Sequence, residues 1–211
     1  MSEGVVGNPR SIGEMCLEME WQGFFAGTET LYNFTDDNGY NNDIAEWKYY
    51  LGYSYTFEDI PAVGAITLSG AWTYTDVSRA SEDDTQELEL GICLDELFLA
   101  PEVVATWDYE NDTWWLMASL NHSCEITEKL TWDTTLAIHW GDNKWTGYDR
   151  AGLTTAVLAT GPSYALTPNI NLNAAITCGQ AVNSKMRQLL RQDEFNNASN
   201  IAFSLGMEFC F

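Results

Sequence analysis

Residues 200–211 read Asn-Ile-Ala-Phe-Ser-Leu-Gly-Met-Glu-Phe-Cys-Phe. Ile201, Phe203, Leu205, Met207, Phe209 and Phe211 share one parity, and all are large and apolar. Ala202, Ser204, Gly206, Glu208 and Cys210 share the other, and are small or polar. Side chains of an extended strand alternate between its faces, so this stretch is a strand with one greasy and one polar side. No helix period fits it.

The same alternation recurs along the chain, predicting about ten strands near 14–26, 45–57, 62–76, 85–94, 99–109, 113–124, 129–140, 150–166, 169–178 and 199–211. Most are longer than the roughly 5–6 residues usual in soluble sheets, and match the ~9–11 that a tilted strand needs to cross a bilayer. Connections alternate in kind. Tight turns are predicted near Asp59, Asp95, Glu128 and Pro168, whereas 27–44, 77–84, 141–149 and 179–198 are longer and polar, with 110–112 the exception. Short turns at one end and long loops at the other suit an up-and-down barrel in a membrane.

Aromatic positions provide an independent signal. Under this strand assignment Trp21, Trp47, Trp72, Trp107, Trp114 and Trp140 fall at the long-loop rim on the apolar parity. Tyr53, Tyr55, Phe57, Trp132, Tyr164, Phe209 and Phe211 gather toward the other rim. Two belts of amphipathic rings are what two headgroup layers select. Between them the apolar parity carries Leu, Ile, Val, Met and Ala without charge, His122 near the short-turn rim being its one awkward member.

The closing strand and the belts resemble those of bacterial outer-membrane β-barrel proteins. The resemblance is to the superfamily and implies no specific family. It implies an all-β fold: one antiparallel, up-and-down transmembrane barrel of about ten strands, with eight or twelve as the alternatives. Residues 1–13 would be a periplasmic lead-in and 14–211 the barrel, with both termini in the periplasm and the long loops outside. It further implies that Phe211 is read by the barrel-assembly machinery, and that outer-membrane lipid and lipopolysaccharide surround a monomer. Met1-Ser-Glu-Gly shows neither the basic start nor the apolar core of an export leader, so a mature domain is expected.

The chain carries 31 acidic against 9 basic residues, a formal charge of −22, which disfavours nucleic acid and anionic surfaces as partners. Five cysteines form no CxxC and no His/Cys cluster with metal-ligand spacing, so no cofactor is expected beyond Ca²⁺ or Mg²⁺ at acidic loops. Cys16 and Cys210, near the two ends of the chain, are a candidate disulfide.

The polar parity is where function would reside. It places Glu18, Glu20, Lys48, Glu87, Glu89, Glu102, Asp133 and Glu208 in the lumen, among many Gly, Ala and Ser. Glu18, Glu20, Glu87 and Glu89 would repel one another if all were ionised in a narrow lumen, so a proton or cation should be held there. Lys185, Arg187 and Arg191 lie in the longest late loop and are candidates to dip into the acidic lumen as a plug. His139, beside Trp140-Gly-Asp142, is the one rim residue that a hydrolase reading could use, and no catalytic residue is assigned. The leading expectation is a small channel or binding barrel favouring cations or small polar solutes. The alternatives are a non-conducting structural or surface-interaction barrel and a hydrolase built on the rim His.

Overall fold

The computed structural model describes residues 12–34, 44–77, 84–142, 144, 151–183 and 199–209. They form one antiparallel meander of eleven strands, each pairing with the next along the chain. The strands are β1 (Ile12–Trp21), β2 (Phe24–Asn33), β3 (Ile44–Ile60), β4 (Gly64–Val77), β5 (Thr85–Cys93), β6 (Pro101–Asp108), β7 (Thr113–Thr127), β8 (Leu130–Gly141), β9 (Gly152–Thr167), β10 (Ile170–Ala181) and β11 (Ser199–Phe209). Among the described residues no pairing joins β1 to β11, so the sheet is not closed.

The count of eleven corrects the expected ten, and the difference lies in 14–26. That stretch is not one strand. Gln22 and Gly23 take positive φ values of 50° and 85° and turn the chain back, so Trp21 pairs with Phe24. Two successive left-handed residues match the twist of a two-residue hairpin. Gly23 is required twice over, because a Cβ there would also run into the carbonyl of Ser54. Residues 27–33, expected as loop, are therefore part of β2, and Ile44 begins β3. The 94–100 connection is likewise longer than the expected tight turn, and Asn121 N–H donates to Leu99 O at 2.7 Å to hold it against β7.

An odd count reverses the sense of the first strand. Among the described residues β1 begins at the long-connection end and β11 finishes at the short-turn end, so these two strand ends do not share the rim expected of an even count. Residues 12 and 13 also belong to β1 rather than to a lead-in. Trp21 moves to the short-turn end, beside Phe24, whose ring lies 4.6 Å from that of Tyr53.

Each strand separates its residues into two faces, and burial on them is inverted relative to a soluble sheet. The apolar face is open: Leu17, Leu51, Leu90, Val103, Leu136 and Ile138 are exposed, Leu90 by 69%. The polar face is the enclosed one. Thr75, Thr106, Asp108, Ser119 and His139 are buried, Asp108 to 7% exposure and His139 to 6%. The few buried apolar residues, such as Ala65, Val104 and Ala137, are small and share that face.

Rings gather at both ends of the apolar face. At the long-connection end Trp47 stacks on Tyr49, Tyr49 on Tyr74, and Trp114 lies 4.7 Å from Trp140. Trp72 donates its indole N–H to the Tyr109 hydroxyl at 3.1 Å, and Trp107 meets the same Tyr109 ring. At the other end sit the Phe24–Tyr53 and Tyr55–Phe57 pairs, with Trp132 donating to Thr160 at 2.8 Å. The awkward His122 is accommodated here: its ring packs on Phe98 at 4.5 Å and its Nδ1 lies 3.0 Å from the Phe98 carbonyl.

Candidate pore-lining wall

Strand register decides which polar-face residues become neighbours. Glu18 pairs with Gly27, Gly27 with Tyr50, Tyr50 with Thr73, and Thr73 with Glu87, in one row across the sheet. The next row toward the short turns runs Glu20, Phe25, Gly52, Ala71, Glu89, Thr106 and Trp115. Glu18 and Glu87 are therefore four strand spacings apart, roughly 19 Å along the sheet at ~4.8 Å per strand. The expected four-carboxylate cluster does not form through the sheet. Glu87 instead lies directly opposite Asp108.

The glycines of these rows explain how large side chains fit. A Cβ on Gly27 would collide with the Tyr50 ring, and one on Gly52 with the Phe25 ring. Tyr50 thus lies flat across β2 and donates its hydroxyl to Glu18 Oε2 at 2.9 Å, with the Cys16 thiol 3.3 Å away. Bulky residues lie along the wall rather than toward its axis. This was missed from sequence, since the Gly that makes room and the Tyr that uses it belong to different strands.

The other candidates fall as follows. Lys48 pairs with Glu29 across β2–β3 at 3.6 Å, giving the acidic wall one internal cation. Glu102 accepts the Ser119 hydroxyl at 3.2 Å, and Glu208 accepts the Asn171 amide at 3.4 Å. Asp133 lies opposite Gly161 near the short turns. Lys185, Arg187, Arg191, Phe211 and Cys210 lie outside the described residues, so the plug, the terminal signal and the disulfide partner of Cys16 are not placed. Cys16 itself is a free thiol paired in register with Glu29, away from the short-turn end.

His139 is on this face rather than at an open rim. It sits opposite a bulge at Thr154–Thr155, both fully buried, and stacks on Trp115 at 5.9 Å. Its Nδ1 has no hydrogen-bond partner among the described residues, so no carboxylate orients the ring. Asp108 is occupied elsewhere: its oxygens accept Glu110 N–H, Asn111 N–H and the Asn111 amide at 3.1, 3.0 and 2.7 Å, capping the 109–112 turn. No His–carboxylate pair is assembled among the described residues. Nor do they contain a group of three or more His, Cys, Asp or Glu placed to hold a metal.

Outside the strands two carboxylates are tuned by contacts. The Lys144 ammonium, 2.6 Å from Asp112, holds that exposed carboxyl below its ordinary range. Hydrogen bonds from Cys93 and then Thr67 hold Asp95 below its ordinary 3.8, outweighing desolvation. A carboxylate depressed on folding contributes stability above its unfolded pKa and loses it as pH falls through the lower folded value. The 94–100 connection is therefore expected to loosen below about pH 4, and Asp95→Asn to loosen it at neutral pH. Amide exchange at Ala100, whose N–H donates to Leu97 O at 2.8 Å, checks both. Unchanged protection in Asp95→Asn would show that the carboxylate does not hold the turn.

No family model matches the chain, and no curated protein matches it in sequence. Among solved structures it is similar to one described as "NanC porin structure in rhombohedral crystal form", with a TM-score of 0.62 at 14% identity. The match covers 95% of this chain and 93% of that one. At such identity the likeness establishes a shared fold, and nothing about solute or charge is carried over with it.

Proposed function

We propose that the sheet curls into a transmembrane barrel of the bacterial outer membrane and acts as a small channel whose carboxylate-bearing wall favours cations and small polar solutes. The inverted burial carries this reading. An exposed Leu/Ile/Val face with aromatic girdles at both ends suits hydrocarbon, and an enclosed Thr/Ser/Glu/Asp face suits a wet interior. The shared fold with a porin supports the same architecture. Side chains lying flat over glycine leave the axis less filled than the strand count alone implies. Among the described residues of the polar face Glu18, Glu20, Glu29, Glu87, Glu89 and Glu102 outnumber Lys48, and this excess of carboxylates supports a preference for cations.

Purified protein inserted in planar bilayers under a KCl gradient is the test. Discrete current steps with a cation-selective reversal potential are expected. The triple variant Glu87→Gln, Glu89→Gln, Glu102→Gln should reduce the cation-to-anion permeability ratio several-fold. A folded protein without current steps would sink the channel reading, and anion selectivity would sink the assignment of the wall.

A further inference from the structure

Strand β7 outruns one of its neighbours at the short-turn end. It pairs with β8 as far as Thr127–Leu130, but with β6 only to Leu120, opposite Pro101. Ala100, with a φ of 30°, turns the chain away at that point, and its N–H bonds Leu97 O inside the 94–100 connection. The Asn121 N–H still reaches across, to Leu99 O at 2.7 Å, which fixes the direction of the odd-numbered amides of β7. In an antiparallel ladder those of Ser123 and Glu125 point the same way, away from β8. Trp114 shows the same alternation, since its carbonyl faces the β8 side and accepts from Asp142 N–H at 3.0 Å. The connections at this end, 22–23, 61–63, 94–100, 128–129 and 168–169, all lie among the described residues. None of them, and no described strand, pairs with Ser123 or Glu125 on the side away from β8. A cavity of about 350 Å³ lies there instead, between the 94–100 connection and β7–β8.

The cavity has a charged side and an apolar side. Ser123 and Asp133, register partners on the polar face, both line it, and Asp133 is open to solvent. Asp95 lines it from the connection, held there by the Thr67 hydroxyl. On the apolar face Phe98 is 78% exposed, and Ile126 farther along β7 is 53% exposed. Residues 94–100 and 121–135 carry Asp95, Glu96, Glu125, Glu128 and Asp133 against Lys129. We propose that this edge binds an extended peptide of a partner protein, added to β7 as a short antiparallel strand in which basic and apolar residues alternate. Ser123 and Glu125 offer it two N–H donors and two carbonyl acceptors, the main-chain part of strand addition. Paired residues of a ladder share a face, so the peptide residues opposite Ser123 and Glu125 point to the polar side. Glu125 then faces one of them directly, and Asp133 stands two strand spacings from the other, roughly 10 Å at ~4.8 Å each. Lys or Arg spans that distance. The residue between them points to the other face, beside Phe98 and Ile126, where Leu or Val fits. A second copy of this chain is a poor occupant, because its formal charge of −22 meets the same carboxylates.

Fluorescent acetyl-Leu-Arg-Val-Arg-Leu-amide, titrated by anisotropy against the protein in nanodiscs of zwitterionic phospholipid, is the test, with empty discs as blank. Saturable binding is expected. The Ser123 amide makes no bond to β8, so Ser123→Pro should leave the denaturation midpoint in place while weakening the peptide about tenfold or more. Cys124→Pro, whose amide faces β8, should lower the midpoint instead. Asp133→Asn should weaken the peptide several-fold without changing the affinity of its Leu-Gln-Val-Gln-Leu analogue. Methylating the two Arg backbone nitrogens, which would face β7, should abolish binding with the charge intact. No saturable binding to the folded protein would overturn the site. Equal affinity for Ser123→Pro, or for the methylated peptide, would overturn it too, since charge alone would then hold the peptide. A dimer seen in sedimentation and lost in Ser123→Pro would give the edge to a second copy and overturn the partner peptide. Should Ser123→Pro lower the midpoint, the methylated peptide decides by itself. None of these outcomes depends on whether the protein conducts.

Discussion

Leu90→Arg is expected to destabilise the protein in phospholipid vesicles by about 2–4 kcal/mol, the cost of a guanidinium at bilayer mid-depth. Leu90 stands mid-strand in β5 on the apolar face, 69% exposed, with Gly70 and Ala105 as its register partners. Nothing nearby offers the charge a partner, and the neighbours are too small to shield it. On a sheet in water the same change would be nearly neutral, within about 0.5 kcal/mol, because an exposed Leu contributes little. The sign and size therefore depend on the solvent at that face and not on packing. Asp76→Arg supplies the depth control: it shares the face but lies at the long-connection end of β4, where about 0–1 kcal/mol is expected. Denaturant titration in vesicles, followed by Trp fluorescence, measures both. Equal, small effects at the two positions would mean that the exposed apolar face does not meet hydrocarbon.

How much of this was legible in the sequence follows from the range of each signal. Face assignment is local and has period two, so the alternation of exposed Leu136 and Ile138 with buried Ala137 and His139 is legible within one strand without any knowledge of neighbours. The end at which each ring lies follows from its strand's bounds, and those bounds differ from the expected ones at Trp21. There the apolar parity of Met15, Leu17, Met19 and Trp21 runs into Gln-Gly, a weaker hairpin signal than Asn-Gly, and Phe24–Phe25 continues the apolar run past the turn. One unrecognised two-residue turn changed the expected ten strands to eleven among the described residues, moved Trp21 to the short-turn end and reversed the direction of the first described strand. Lateral neighbours were beyond reach for a different reason. Glu87 facing Asp108, or Tyr50 reaching Glu18 over Gly27, depends on the registers of successive pairings, which alternation within one strand does not encode.

Gly161→Ala tests one such lateral contact, and a cost of about 3 kcal/mol is expected, the upper end for overpacking. The β9–β10 ladder pairs Asn173 with Ser163 and Ile176 with Thr160, leaving Gly161–Pro162 against Ala174–Ala175 between them. Pro162 has no N–H to donate, so this part of the ladder is already short of a hydrogen bond. A Cβ on Gly161 would overlap the Ala174 carbonyl oxygen and come within 2.8 Å of Ala174 C and Ala175 Cα. Those are backbone atoms of the neighbouring strand, which no rotamer change can move, so β9 and β10 would have to separate. The generic effect of Gly→Ala at an unstrained position has the opposite sign, stabilising by roughly 0.4–1 kcal/mol through the unfolded chain. Gly152→Ala on the same strand isolates that generic term, because the nearest atom to its Cβ would be Asn183 Nδ2 at 3.9 Å, an ordinary contact. The pair of variants thus separates chain entropy from steric overlap within one strand. Denaturation midpoints should fall for Gly161→Ala and hold or rise for Gly152→Ala. Equal midpoints would mean that β9 and β10 do not approach this closely, and that the small-walled side of the lumen is wider than the register of these strands implies.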